Sequence, residues 1–213
     1  MRIAIVTEAS TVQKNRDILE AIVDRGHEVL NVGMRSPDDR PELTYIHTGF
    51  LAALLLNAGR VDYVVGGCGT GQGFQASVDQ YPNVVCGHLQ TPLDAWLFTR
   101  INAGNCVSFA LNEGYGWGSD VNLRLVFDQL FADGAAEGYP AHRRESQDES
   151  RRLLGELSRT THRPMADIVR GLDDRIVQPV LAFPGVWALL NPETLPDRAL
   201  AGALVDRRPV SVG

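Results

Sequence analysis

Residues 61–73, Val-Asp-Tyr-Val-Val-Gly-Gly-Cys-Gly-Thr-Gly-Gln-Gly, decide the fold. The β-branched and aromatic run at 61–65 reads as a buried strand, and it passes into a glycine-rich loop from Gly66 to Gly73 that hands the chain to a helix. The same alternation recurs on both sides. Upstream, a strand at 2–7 is followed by a helix at 12–25, with Ile18, Leu19, Ile22 and Val23 on one face and Gly26 as its stop. A strand at 28–32 and a helix at 45–58 follow. Downstream lie a strand at 83–89 with a helix at 93–102, then a strand at 105–111 with a helix at 121–132. Five such units predict an α/β fold with a five-stranded parallel sheet and helices on both faces, because right-handed crossovers leave few other arrangements. Ligands bind such sheets outside the carboxyl ends of the strands, where this reading places Thr7, Glu8 and Cys68.

Beyond about residue 145 the texture changes to a charged, Arg-rich helical run and then a tail punctuated by Pro179, Pro184, Pro192, Pro196 and Pro209. Residues 1–145 are therefore expected to form the α/β domain and 146–213 a C-terminal helical extension. A chain of 213 residues with 44% apolar and 22% charged residues supports one full core plus such an appendage.

The net charge of -6, with no basic stripe, argues against a nucleic-acid partner. The longest apolar run, 51–56, falls far short of the roughly 20 residues a membrane-spanning helix needs. The start shows no secretory pattern, so a cytoplasmic location without membrane contact is expected. Three cysteines, at 68, 86 and 106, have neither disulfide nor zinc-ligand spacing, and His47, His88 and His142 stand alone, so no metal is expected.

The glycine loop is where chemistry is legible. Backbone N–H groups approach a ligand closely where no side chain intervenes, and the start of the following helix adds positive potential. Cys68 stands at the entrance with a thiol able to shuttle a proton once ionised, and Thr70 can hydrogen-bond a developing oxyanion. A plain strand-to-helix turn carrying a structural cysteine fits the same residues. Residues 71–76, Gly-Gln-Gly-Phe-Gln-Ala, also fit the loose dinucleotide pattern, but they lie in the third unit and the next strand ends at His88-Leu89-Gln90 without the acidic residue a ribose needs. No cofactor is expected.

Val61-Asp62 leading into Cys68-Gly69-Thr70-Gly71-Gln72-Gly73, the ungapped stretch to Pro82, and Asn102 and Asn105 resemble the ribose-5-phosphate isomerase B and galactose-6-phosphate isomerase family over about residues 1–145. The resemblance implies a Rossmann-like three-layer sandwich and a homodimer with sites assembled from both subunits. It implies a cofactor-free aldose–ketose isomerase working through an enediolate. It also makes Cys68 the base and the backbone of Gly69, Gly71 and Gly73, with Thr70, the enediolate cradle; Asn102 becomes a substrate contact. Some relatives carry a carboxylate base where this chain has Gln72, which cannot serve as one.

The departures bear on the substrate. Glu8-Ala9 stands where the family has Asp-His, so Glu8 keeps a carboxylate there. Ile101-Asn102-Ala103 replaces His-Asn-Asp, removing the ring-opening histidine, and of the family's phosphate-gripping arginines only Arg144 falls in place. His88, near a strand's carboxyl end, can line the crevice and supply an acid, or be a hydrogen-bonded structural histidine. The small-molecule partner is thus a sugar phosphate, or a sugar acid such as a uronate, and a non-catalytic carbohydrate-binding member of the same fold is the alternative.

Overall fold

The computed structural model of the chain describes residues 1–209. Five strands, β1 (Arg2–Val6), β2 (Glu28–Asn31), β3 (Tyr63–Cys68), β4 (Cys86–Leu89) and β5 (Cys106–Ala110), form one sheet in the order β2-β1-β3-β5-β4. Every pairing is parallel. The connecting helices are α1 (Asn15–Ile22), α2 (Tyr45–Asn57), α3 (Gln72–Val78), α4 (Pro92–Leu97) and α5 (Ser119–Leu130). They make this a three-layer sandwich.

Side-chain alternation along the strands divides the core into two halves. Ala4, Val6, Val64, Cys68 and Cys106 face the half under α2 and α3. Ile3, Ile5, Tyr63, Val65, Val107 and Phe109 face the half under α1 and α5.

The structure extends the third strand beyond the expected boundary at residue 65, through Gly66 and Gly67 to Cys68. Both glycines are required by close approach. A Cβ on Gly66 would lie 2.3 Å from Phe74 Cζ, and one on Gly67 would lie 2.4 Å from the Phe109 carbonyl oxygen. Other boundaries differ as well: the strand expected at 83–89 begins at Cys86, and the helix expected at 121–132 runs from Ser119 to Leu130. The helix expected at 12–25 begins as a 3₁₀ turn over Ala9–Lys14 and becomes α-helical from Asn15 to Ile22. The helix expected at 93–102 is α4 followed by a π-helical turn at Phe98–Asn102.

Downstream lie α6 (Arg144–Thr161), α7 (Met165–Gly171), α8 (Asp174–Leu181), α9 (Val186–Leu190) and α10 (Arg198–Asp206). The last four share the apolar cluster of α2, contributing Val169, Val177, Val180, Leu190, Leu200 and Leu204. This explains why α2 is apolar around its whole circumference, with residues 48–55 all buried. Arg60 fastens the junction by donating to the carbonyls of Leu190 and Asn191, each at 2.9 Å, and His47 Nε2 meets the Arg175 carbonyl at 2.9 Å. Helix α6 stands apart. None of its residues is buried, and Leu153, Leu154 and Leu157 are 48%, 44% and 56% exposed.

Candidate active site

Cys68 closes β3 on the α3 side of the sheet and is 6% exposed. Its Sγ lies 3.4 Å from the position a Cβ would take on Gly73, and the Tyr45 ring lies 3.3 Å from the same point. Sulfur and ring thus flank the space a side chain on Gly73 would occupy. Tyr45 and Gly73 together form part of the wall of a groove of about 470 Å³ between α2, α3 and the extension, with Ile168, Leu172 and Ile176 opposite. The thiol sits immediately behind that wall in an isolated chain.

The loop after Cys68 is held by its own backbone. Gly71 N–H donates to the Cys68 carbonyl at 3.2 Å, and Gln72 N–H to Thr70 Oγ1 at 3.3 Å. Gly71 has φ +75°, a conformation that costs a side-chain-bearing residue energy and suits glycine. The amide hydrogens of Gly69, Thr70, Gly73 and Phe74 find no acceptor among the described residues. Such a cluster of unclaimed donors is what an oxyanion requires.

His88 packs against the back of this loop, its Nε2 2.5 Å from the position of a Gly71 Cβ. That nitrogen is buried and has no hydrogen-bond partner among the described residues. A buried, unsatisfied imidazole nitrogen is costly unless a ligand or water uses it. Ser108 Oγ donates to the Gly71 carbonyl at 2.5 Å and fixes the loop from the neighbouring strand. Close to His88, the carboxyl of Asp94 is pushed up by burial but pulled down by the amides of Gln90 and Thr91, and lies below its ordinary value.

Glu8 is 4% exposed and engages Ser10 with both oxygens: Oε2 accepts from Ser10 N–H at 2.9 Å and Oε1 from the Ser10 hydroxyl. In this arrangement its carboxylate caps the turn at Ala9–Lys14. Thr70 is exposed at the loop's tip. Sequence reasoning missed Asn112, which ties the crevice together. Its side-chain amide donates to the Ser10 carbonyl at 3.1 Å, and its backbone N–H donates to the Gly69 carbonyl at 3.0 Å. Nothing in the sequence marks it, because its role arises only when β3 and β5 pair.

Asn102 and Arg144 lie elsewhere. Asn102 precedes β5, whereas the loop follows β3; because these strands are parallel, with Val64 opposite Cys106 and Cys68 opposite Ala110, the two ends are roughly 15 Å apart. Segment 134–151 is tied to that amino-terminal end by Ala136 N–H to the Thr99 carbonyl and Gly138 N–H to the Arg100 carbonyl, both at 3.0 Å. Arg144 packs over Gly138. One chain therefore gathers Cys68, Gly69, Thr70, Gly71, Gly73 and His88 at one end, with Glu8 beside them, and holds Asn102 and Arg144 at the other.

The family model described as Ribose/Galactose Isomerase matches residues 3–126. A solved 4-deoxy-L-threo-5-hexosulose-uronate ketol-isomerase complexed with a tartrate is 32% identical, with 97% of this chain and 98% of that chain covered and a TM-score of 0.91. A ribose-5-phosphate isomerase from Vibrio parahaemolyticus is 34% identical, with 97% and 98% covered and a TM-score of 0.90. Both share the C-terminal extension as well as the sheet. A ribose-5-phosphate isomerase B from Clostridium thermocellum, 19% identical, covers 75% of this chain and 99% of its own at a TM-score of 0.62, a likeness of fold alone. No curated protein sequence matches. The matched family model over the sheet, together with two full-length relatives above 30% identity, shows that the chain belongs to the ribose/galactose isomerase family.

Proposed function

We propose that this chain is an aldose–ketose isomerase that moves a proton between adjacent carbons of a sugar phosphate or sugar acid, with Cys68 as the base. The observation that carries the reading is the Cys68 thiol at the head of a loop whose Gly69, Thr70, Gly73 and Phe74 amides have no protein acceptor. As thiolate, Cys68 takes the proton from the carbon beside the carbonyl. The electron pair of that C–H bond forms the enediolate double bond, and the amides hold the oxyanion. The S–H proton returns to the neighbouring carbon, while a hydroxyl proton crosses to the other oxygen through Thr70 or His88.

The site is completed by a second copy of the chain, which brings Asn102 and Arg144 to the Cys68 loop. Their separation from Cys68 within one chain supports this, as do the uncovered leucines of α6, the helix that Arg144 opens. The reaction uses no cofactor. A cytoplasmic setting is supported by three free cysteines, and no helix among the described residues is long and apolar enough to cross a membrane.

The near-complete burial of Cys68 and the engagement of Glu8 by Ser10 favour a second reading, a carbohydrate-binding member without turnover. Incubation with pentose and hexose phosphates and with uronates in D2O separates the two. The expected result is a ketose product carrying deuterium at the exchanged carbon. Binding without turnover of any of them would leave the binder.

A further inference from the structure

Where α6 gives way to α7, the chain closes on the loop before β4 around a cavity of about 300 Å³, lined by Asn83, Ser158, Arg159, His162, Arg163, Met165 and two prolines. No residue of its wall is acidic. Both arginines are exposed, and neither forms an ion pair with a described carboxylate. Others on α6 are committed, Arg151 to Asp148, and Arg152 to Glu149 and Glu156. In a chain of net charge -6, two uncommitted guanidinium groups on one cavity are a local excess of positive charge.

The polar groups between the arginines are held in place. Asn83 N–H donates to Ser158 Oγ at 2.9 Å, and the hydroxyl hydrogen of Ser158 finds no acceptor among the described residues. His162 Nδ1 meets the Ser158 carbonyl at 3.1 Å, which fixes the ring on the cavity wall and leaves Nε2 without a described partner. Met165 is buried and belongs to the core shared with α2, so this wall is anchored in packed structure.

We infer that this cavity binds a phosphate dianion, free or as the terminal group of a small ester. Two planar guanidinium forks and a hydroxyl suit the tetrahedral acceptors of phosphate, and two full positive charges favour a dianion over a single carboxylate. The inference does not depend on the isomerase reading, because the cavity is separate from the catalytic crevice. Asn83 precedes β4, which places the cavity at the amino-terminal end of the sheet, away from the Cys68 loop. Arg144 opens the 18-residue α6 and Arg159 stands in its last turn, so about 20 Å of helix separates them. Around the helix, Arg159 points roughly 165° away from the mean direction of Leu153, Leu154 and Leu157, so a partner covering those leucines leaves the cavity open.

The probes are inorganic phosphate and phenyl phosphate at about pH 8, where both are dianions, with chloride holding the ionic strength constant. The readout is the labelled methyl group of Met165 in the full-length protein. The chain has three methionines, and Met34, buried elsewhere in the core, reports that each variant is folded. Phosphate is expected to move the Met165 resonance saturably in the millimolar range and to leave Met34 in place. Arg159→Gln combined with Arg163→Gln is expected to weaken binding at least tenfold, whereas Arg144→Ala should bind within about threefold of the unsubstituted protein. Tighter binding of phenyl phosphate would mark an ester as the natural occupant, and tighter binding of inorganic phosphate the free ion. No saturable shift of Met165 with either probe, equal affinity in the folded double variant, or binding lost in Arg144→Ala would overturn the assignment.

Discussion

Cys68→Ala is expected to lower turnover by roughly 10²- to 10⁴-fold and to abolish incorporation of solvent deuterium at the substrate carbon, because general-base catalysis of this kind is worth about that much. The protein should still fold. The change removes one small sulfur from a core that includes Phe50, Phe74 and the α2 leucines, a cost of order 1 kcal/mol against a stability several times larger. Cys68→Ser serves as the control for packing: it restores an atom in place of the sulfur but not an ionisable thiol, and it should be as inactive as the alanine variant. NMR of the exchanging carbon, read beside the thermal melt of each variant, checks both halves of the expectation. Retained exchange in either folded variant would remove Cys68 from the chemistry and leave His88 or Glu8 to be considered as base.

The second large effect concerns assembly. If Asn102 and Arg144 act across a two-fold axis, a Cys68→Ala chain and a chain carrying Asn102→Ala with Arg144→Ala should each be inactive alone. Mixed dimers should regain one working site, since the thiol of the second chain meets the intact asparagine and arginine of the first. Random reassortment makes about half of the dimers mixed, each with one of two sites intact, so about a quarter of the wild-type rate is expected. Activity of the co-expressed or co-refolded pair, measured on the dimer fraction from size exclusion, reads this directly. A mixture that forms dimers and stays inactive would show that Asn102 and Arg144 do not complete the Cys68 site of a partner.

The sheet was legible in the sequence because each strand of this parallel arrangement is a short apolar run followed by a helix-period stretch. The end of β3 was not, since Gly66 and Gly67 have poor strand propensity and are tolerated only because Phe74 and the Phe109 carbonyl press against them. The extension was visible as a change of texture at about residue 145. Its fusion with the face of α2 is a tertiary property, hinted at only by α2 being apolar all round.

At the site, the loop from Cys68 to Gly73 could be singled out from residues alone, since a thiol followed by alternating glycines has few roles. What could not be read was how that loop is held. The His88 nitrogen behind Gly71, the Ser108 hydroxyl on the Gly71 carbonyl and the Asn112 bridge to Ser10 all join segments distant in sequence. Glu8 was singled out for its place at the end of β1, and the structure adds that its carboxylate caps the next turn.

The central claim is that the Cys68 sulfur and the amides beside it face the reacting carbons of a sugar. A crystal structure of the dimer with an acyclic sugar acid bound tests this most directly. The account predicts the sulfur within about 3.5 Å of the carbon that exchanges its proton, with the Gly69 to Phe74 amides on the adjoining oxygen. A ligand seated instead in the cavity of about 290 Å³ lined by Gln90, Glu113, Ser119 and Asn122, with Cys68 still sealed behind Tyr45 and Gly73, would contradict it.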